Sequence, residues 1–178
     1  MIELLKDCLE HKKVTSIYTN RENTEKHMTG FISGLNEAET LISHMNSRGE
    51  YDGYILIKTR KIYQIDYDGP YEKMIKKLYV LKSQKHSILD ISEENILFSL
   101  LKYAIKMNFI ITVELEDTSY SGYVTSYNDE FVTLRTIDMY GGNSGISAFK
   151  IDEILLFACD TDTEQDLKLL NSHLDTDN

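Results

Sequence analysis

The chain has 178 residues, enough for one mid-sized domain or two small ones. At 42% hydrophobic, 27% charged and 10% aromatic it has the make-up of a globular protein, which excludes disordered and collagen-like classes. Acidic residues outnumber basic ones 29 to 19, and the resulting net charge of −10 argues against a broadly basic nucleic-acid sleeve.

In chain order, the opening residues carry charges inside an apolar run, with Glu3, Lys6 and Asp7 among Ile2, Leu4, Leu5 and Cys8. That is not the core of an export signal, and no stretch approaches the roughly 20 apolar residues of a membrane span. The expectation is a cytoplasmic chain with no membrane association. Ile2, Leu5, Cys8 and Leu9 form the stripe of an opening helix. Five short strands follow at 14–20, 28–35, 40–45, 54–58 and 61–65. Pro70 suits the first turn of a closing helix whose stripe is Tyr71, Met74, Ile75, Leu78 and Tyr79. After a connection at 83–91, Ser92 and the acids behind it have the form of a helix start, leading into Ile96, Leu97, Leu100, Leu101, Ala104 and Ile105. Strands are then expected at 109–115, 120–127, 130–137, 145–150 and 153–158, with turns at Asn128-Asp129 and at 141–145. Thr161-x-x-Glu164 is a capping box opening a last helix with Leu167, Leu170 and Leu174 on one face.

The two halves repeat each other. Sliding the sequence by 92 positions places Gly30 on Gly122, Asn36 on Asn128, Gly49 on Gly141, Gly53 on Gly145, Lys58 on Lys150 and Glu72 on Glu164. Upstream the register is 96: Leu4, Leu5 and Lys6 fall on Leu100, Leu101 and Lys102. The change implies a connection four residues longer in the first copy, around 20–27. The expected fold is therefore mainly β with flanking helices, in the α+β class. It consists of two tandem five-stranded small barrels at 1–84 and 93–178, each in the order α-β-β-β-β-β-α, since closure removes exposed sheet edges.

Residues 122–134 carry Gly122 in the second strand, apolar Val124, Tyr127-Asn128 before the turn, and apolar Phe131, Val132 and Leu134 beyond it. The first half has Gly30, Ile32, Leu35-Asn36, Leu41 and Ile42. This pattern resembles the first motif of the Sm-like superfamily, which includes bacterial RNA chaperones; other SH3-like small barrels share such spacings. The resemblance implies an N-terminal helix on a strongly bent five-stranded barrel, and assembly through the fourth and fifth strands. The family's second motif, an apolar run ending in Arg-Gly, is absent from 57–62 and 149–154. In RNA-binding members the two loops together hold a base and its phosphate. By that resemblance Asn36, Lys58, Asn128, Arg135 and Lys150 are the candidate ligand or nucleotide contacts, while the favoured readings are asparagine as a turn residue and the basic side chains in weak exposed ion pairs.

Charge divides the halves. Residues 1–90 are near neutral, whereas 91–178 hold 5 basic and 16 acidic residues, which disfavours a bound RNA strand. No catalytic constellation, cofactor motif or metal-ligand spacing appears among the five histidines and two cysteines. Asp138, Asp152, Asp160 and Asp162 are acids near one end of the second barrel without a fixed ligand spacing. The expected function is a non-enzymatic interaction or assembly module, a small homo-oligomer with a dimer favoured, or one with a protein partner. An RNA-binding regulator is the alternative.

Overall fold

The computed structural model describes residues 1–23 and 26–174. The chain divides into two compact units, Met1–Leu97 and Phe98–Asn178. In the first, α1 (Ile2–Glu10) leads into β1 (Val14–Tyr18), β2 (Met28–Leu35), β3 (Glu39–Met45), β4 (Tyr51–Lys58) and β5 (Gln64–Tyr67), and α2 (Pro70–Leu81) closes it. Helix α3 (Ile96–Met107) begins at the end of this unit. Then follow β6 (Ile110–Glu114), β7 (Ser119–Tyr127), β8 (Phe131–Ile137), β9 (Asn143–Lys150), β10 (Leu156–Cys159) and α4 (Asp162–Leu174).

Among the described residues, ten strands and four helices make an α+β fold built mainly of antiparallel sheet. The hydrogen-bonded order is β5-β1-β2-β3-β4 in the first unit and β10-β6-β7-β8-β9 in the second. These sheets are not the closed barrels expected. Each unit ends its ladder on its fourth and fifth strands, and no ladder joins that pair among the described residues. The reason lies between them: a short 3-10 turn, Thr59–Lys61 or Ile151–Glu153, delivers a fifth strand of only four residues to the side of the first strand.

Several element starts differ from the pattern reading: β4 and β9 begin earlier than expected, at Tyr51 and Asn143, and β5, β10 and α3 begin later. The residues expected to open the fifth strand form those 3-10 turns, anchored by Thr59 N–H on Ala38 O (2.9 Å) and Ile151 N–H on Glu130 O (2.9 Å). Ser92 heads a turn that Asn95 N–H closes, and α3 starts only at Ile96. Glu39 on β3 supplies the cap instead, its Oε2 accepting Leu97 N–H at 3.1 Å. A carboxylate brought from a distant strand leaves no signal in the local sequence.

Strand β1 is buried on both faces, while β8 alternates because Val132, Leu134 and Thr136 face inward. Its β-branched residues suit such a pleated, half-buried surface. Val14, Met45 and Ile75 pack together with Phe31, Tyr71 and Tyr79 beneath α2. Gly30 in β2 and Gly122 in β7 sit where the neighbouring strand passes closest. A Cβ at either would overlap the carbonyl of Ser43 or Arg135. Just beyond, both second strands carry a bulge, at Ile32/Gly34 and Val124/Ser126, which sharpens their bend.

Each closing helix is tied to the first two strands by a carboxylate in its first turn. Ser16 donates to buried Glu72 at 2.6 Å and lies 3.3 Å from Thr29. Thr112 donates to Glu164 at 2.5 Å and lies 2.7 Å from Ser121. Glu164 also supplies the return half of the expected capping box, its Oε2 accepting the N–H and the Oγ1–H of Thr161 at 2.9 and 2.5 Å.

Gly30→Ala and Gly122→Ala should each cost about 2 kcal/mol or more of unfolding free energy in urea titrations. Gly34→Ala, whose Cβ meets only side-chain atoms at 3.3–3.4 Å, should cost far less. Glu164→Ala, which leaves the part-buried hydroxyl donors of Thr112 and Thr161 without their acceptor, should lower stability by about 1–2 kcal/mol by the same measurement. Glu164→Gln, which keeps an acceptor, should cost less.

Candidate functional site

The positions implied by the nucleotide-binding resemblance are largely occupied by the fold. Asn36 Oδ1 accepts the backbone N–H groups of Ala38 and Glu39 at 2.9 and 2.7 Å, and its Nδ2 donates to Glu93 O at 2.8 Å. Asn128 does the same with Oδ1, accepting Glu130 and Phe131 N–H at 2.9 and 2.8 Å. Both amides build the turn between the second and third strands. Lys58 stands opposite Glu39 in the β3–β4 register, and Lys150 opposite Phe131 in β8–β9, so each lysine shares an end of its sheet with its asparagine. Arg135 does not join them. It sits four residues further along β8, its guanidinium over the Tyr123 ring at 4.7 Å.

A denser polar site in the first unit escaped the pattern reading. Residues beyond α2 return along β4. Gln84 Oε1 accepts Tyr51 N–H at 3.0 Å, and Tyr54 donates its hydroxyl to Ser87 O at 2.8 Å. His86 lies within 4.6 Å of the Tyr51 ring centroid, 5.5 Å of Tyr54 and 5.7 Å of Tyr79. Its Nε2 meets the carbonyls of His44 and Gly53 at 2.8 and 3.1 Å, and its Nδ1 meets the Tyr79 hydroxyl at 2.8 Å. Two carbonyl acceptors at Nε2 set the tautomer with the proton there, leaving Nδ1 to accept. Burial holds the His86 pKa below its ordinary value, against the raising effect of the two carbonyls and Asp52. Nearby, His44 Nδ1 and Asp52 Oδ2 pair at 3.0 Å. Neither the tyrosines of β4 nor a histidine in a connecting segment forms a local pattern that marks such a site.

In the second unit the most open feature is β9. It is an edge of that unit's sheet, and six of its eight residues are exposed. Ile146 on this strand is 73% exposed, and Met139 and Tyr140 in the loop before it are 75% and 74% exposed. Ile146 stands at the place of Tyr54, 92 positions earlier, which is fully buried.

No family model, curated protein or solved structure matches the chain. The site is therefore read from its own chemistry. Among the described residues no three His, Cys, Asp or Glu side chains gather as a metal site, so the acids at 138, 152, 160 and 162 form none. Cys8 and Cys159 are buried and free, and burial pushes both thiols above their ordinary pKa, which makes poor nucleophiles of them. Among the described residues no helix is long and apolar enough to cross a membrane. An exposed edge strand can do one thing directly: it can pair with another strand.

Because the folded-state pKa of His86 lies below that of the unfolded chain, the unfolded chain takes up the proton first as pH falls. The stability carried by the neutral ring is whole above about pH 6.5 and declines progressively below it. Melting temperature should therefore fall between pH 7.5 and 5.5 more steeply for the native chain than for His86→Phe, checked by circular dichroism.

Proposed function

We propose that the protein is a non-enzymatic assembly module made of two tandem Sm-like units, and that it joins another chain of its own kind through the edge of β9. The observation that carries this reading is the exposed edge itself, with Ile146, Met139 and Tyr140 projecting at 73–75% exposure from one sheet end. Such an edge offers a row of backbone donors and acceptors as a template for a partner strand. Further support for two related units comes from details that recur at the same spacing. They are the second-strand glycine and bulge, the asparagine turn, the 3-10 turn before the fifth strand, and the buried carboxylate of the closing helix. The strand order also agrees between the units, and it ends in each on the fourth and fifth strands, the pair through which Sm-like proteins assemble.

One observation favours the RNA reading, and only in the first unit. Lys58, Arg60 and Lys61 cluster around a turn tied by Thr59 N–H to Ala38 O, beside Asn36. Against it, the Asn36 amide is already bonded at both ends, and the chain as a whole is acidic.

Light scattering at about 50 µM should give a mass clearly above the 20.6 kDa of one chain. The double variant Ile146→Lys, Tyr140→Lys, which places charge on the edge, should return it to one chain. A native mass of 20.6 kDa that does not change at low salt would overturn the assembly reading. Single-stranded RNA binding that weakens steeply with salt in the same preparations would favour the alternative.

A further inference from the structure

The second unit holds a groove of about 610 Å3 between α4 and the ends of β7, β8 and β9. That volume falls in the range of small-ligand sites, roughly 300–1,000 Å3. Its lining is chemically one-sided: seven hydroxyl-bearing residues, the carboxylates Asp138 and Asp166, and an apolar side that includes Leu167, Leu170 and Met139. Among the described residues no lysine, arginine or histidine lines it.

The groove arises from specific differences between corresponding positions of the two units. Where the first unit has His27 packed edge-on against Tyr71 at 5.5 Å, the second has Ser119 and Thr163. Where the first has His44 Nδ1 and Asp52 Oδ2 in contact at 3.0 Å, the second has Thr136 and Ser144. Ile55 and Met74 give way to Ser147 and Asp166. Larger side chains that fill this region in the first unit are thus replaced by small hydroxyls and one carboxylate. The imidazole rings of His27 and His44 are lost in the same exchange.

We propose that this groove binds an alkylammonium chain. Asp166, exposed on α4 and in no ion pair among the described residues, receives an ammonium group. Asp138 holds its loop through Oδ1, which accepts Tyr140 and Gly142 N–H at 2.8 and 2.9 Å, and adds a second negative charge. The methylene segments lie against Leu167, Leu170 and Met139, as lysine stems lie on apolar surface elsewhere. The acidity of residues 91–178 concentrates cations around the site. This ligand chemistry belongs both to a free polyamine and to lysine side chains on a peptide. The inference goes beyond the assembly reading and does not depend on it.

The test is calorimetric titration of the full chain with spermidine and, separately, with a tetralysine peptide. At least one should bind with a dissociation constant of about 1 mM or tighter, and which one does identifies the source. Asp166→Lys and the double variant Ser147→Ile, Thr163→Tyr, which restores bulk as in the first unit, should each weaken binding at least about tenfold. Asp129→Lys, an exposed acid in the turn at the opposite end of β7 and β8, should change it less than about twofold. Unchanged circular dichroism of each variant keeps loss of binding separate from loss of fold. Absence of heat from both cations at about 10 mM, or an equal loss in Asp129→Lys, overturns the proposal. Light scattering of the same variants reads the oligomeric state independently, since Ile146 and Tyr140, the positions that test assembly, lie outside the groove lining.

Discussion

A single carboxylate in the first turn of a closing helix holds each unit together. Glu72 and Glu164 are buried, and a buried carboxylate is tolerable only when its lone pairs are satisfied. Hydroxyls on the first and second strands satisfy them, Ser16 beside Thr29 and Thr112 beside Ser121. The helix is thereby set in register on the sheet at its N-terminus, where its dipole also favours negative charge. Everything later in the helix follows from that anchor. Leu78 and Leu170 come to lie where the loop before the fourth strand passes, and Gly49 and Gly141 leave them room.

The same scaffold carries two different surfaces. In the first unit the chain beyond α2 is drawn back along β4 by Gln84, His86 and Ser87, so the aromatic face of Tyr51, Tyr54 and Tyr79 is closed. In the second, β9 and the loop before it stand open, with Ile146 in place of buried Tyr54. Hydroxyl-rich positions replace the bulky ones next to α4, and that difference produces the groove. Charge follows the same division, near neutral in residues 1–90 and strongly acidic in 91–178. One half is thus chemically finished, and the other presents an edge and a concavity.

The asparagines show how one residue type can be read in two ways. Asn36 and Asn128 are the amides that the sequence resemblance would assign to a base, yet each Oδ1 caps two backbone N–H groups of its own turn. An amide oxygen engaged in two bonds within 2.7–2.9 Å has little capacity left for a ligand. Their positions at turns follow from local backbone demand, which is sufficient reason for their identity.

What the sequence determined by itself was whatever is written in short-range periodicity and turn chemistry. The apolar stripes of the helices, the alternation in β8, Pro70 at the start of α2 and the capping box at Thr161 all act over a few residues, and each left a legible pattern. The tertiary structure alone decided the features made by groups far apart in the chain. Glu39 caps a helix 58 residues away, Ser16 bonds Glu72 across 56, and His86 reaches the carbonyl of His44 across 42. Closure was also a tertiary matter, since whether a fourth strand meets a fifth depends on the course of the turn between them and not on either strand's pattern. The groove is likewise invisible in any one segment. It exists because small residues from β7, β8, β9 and α4 are brought around the same space, and only folding sets them there.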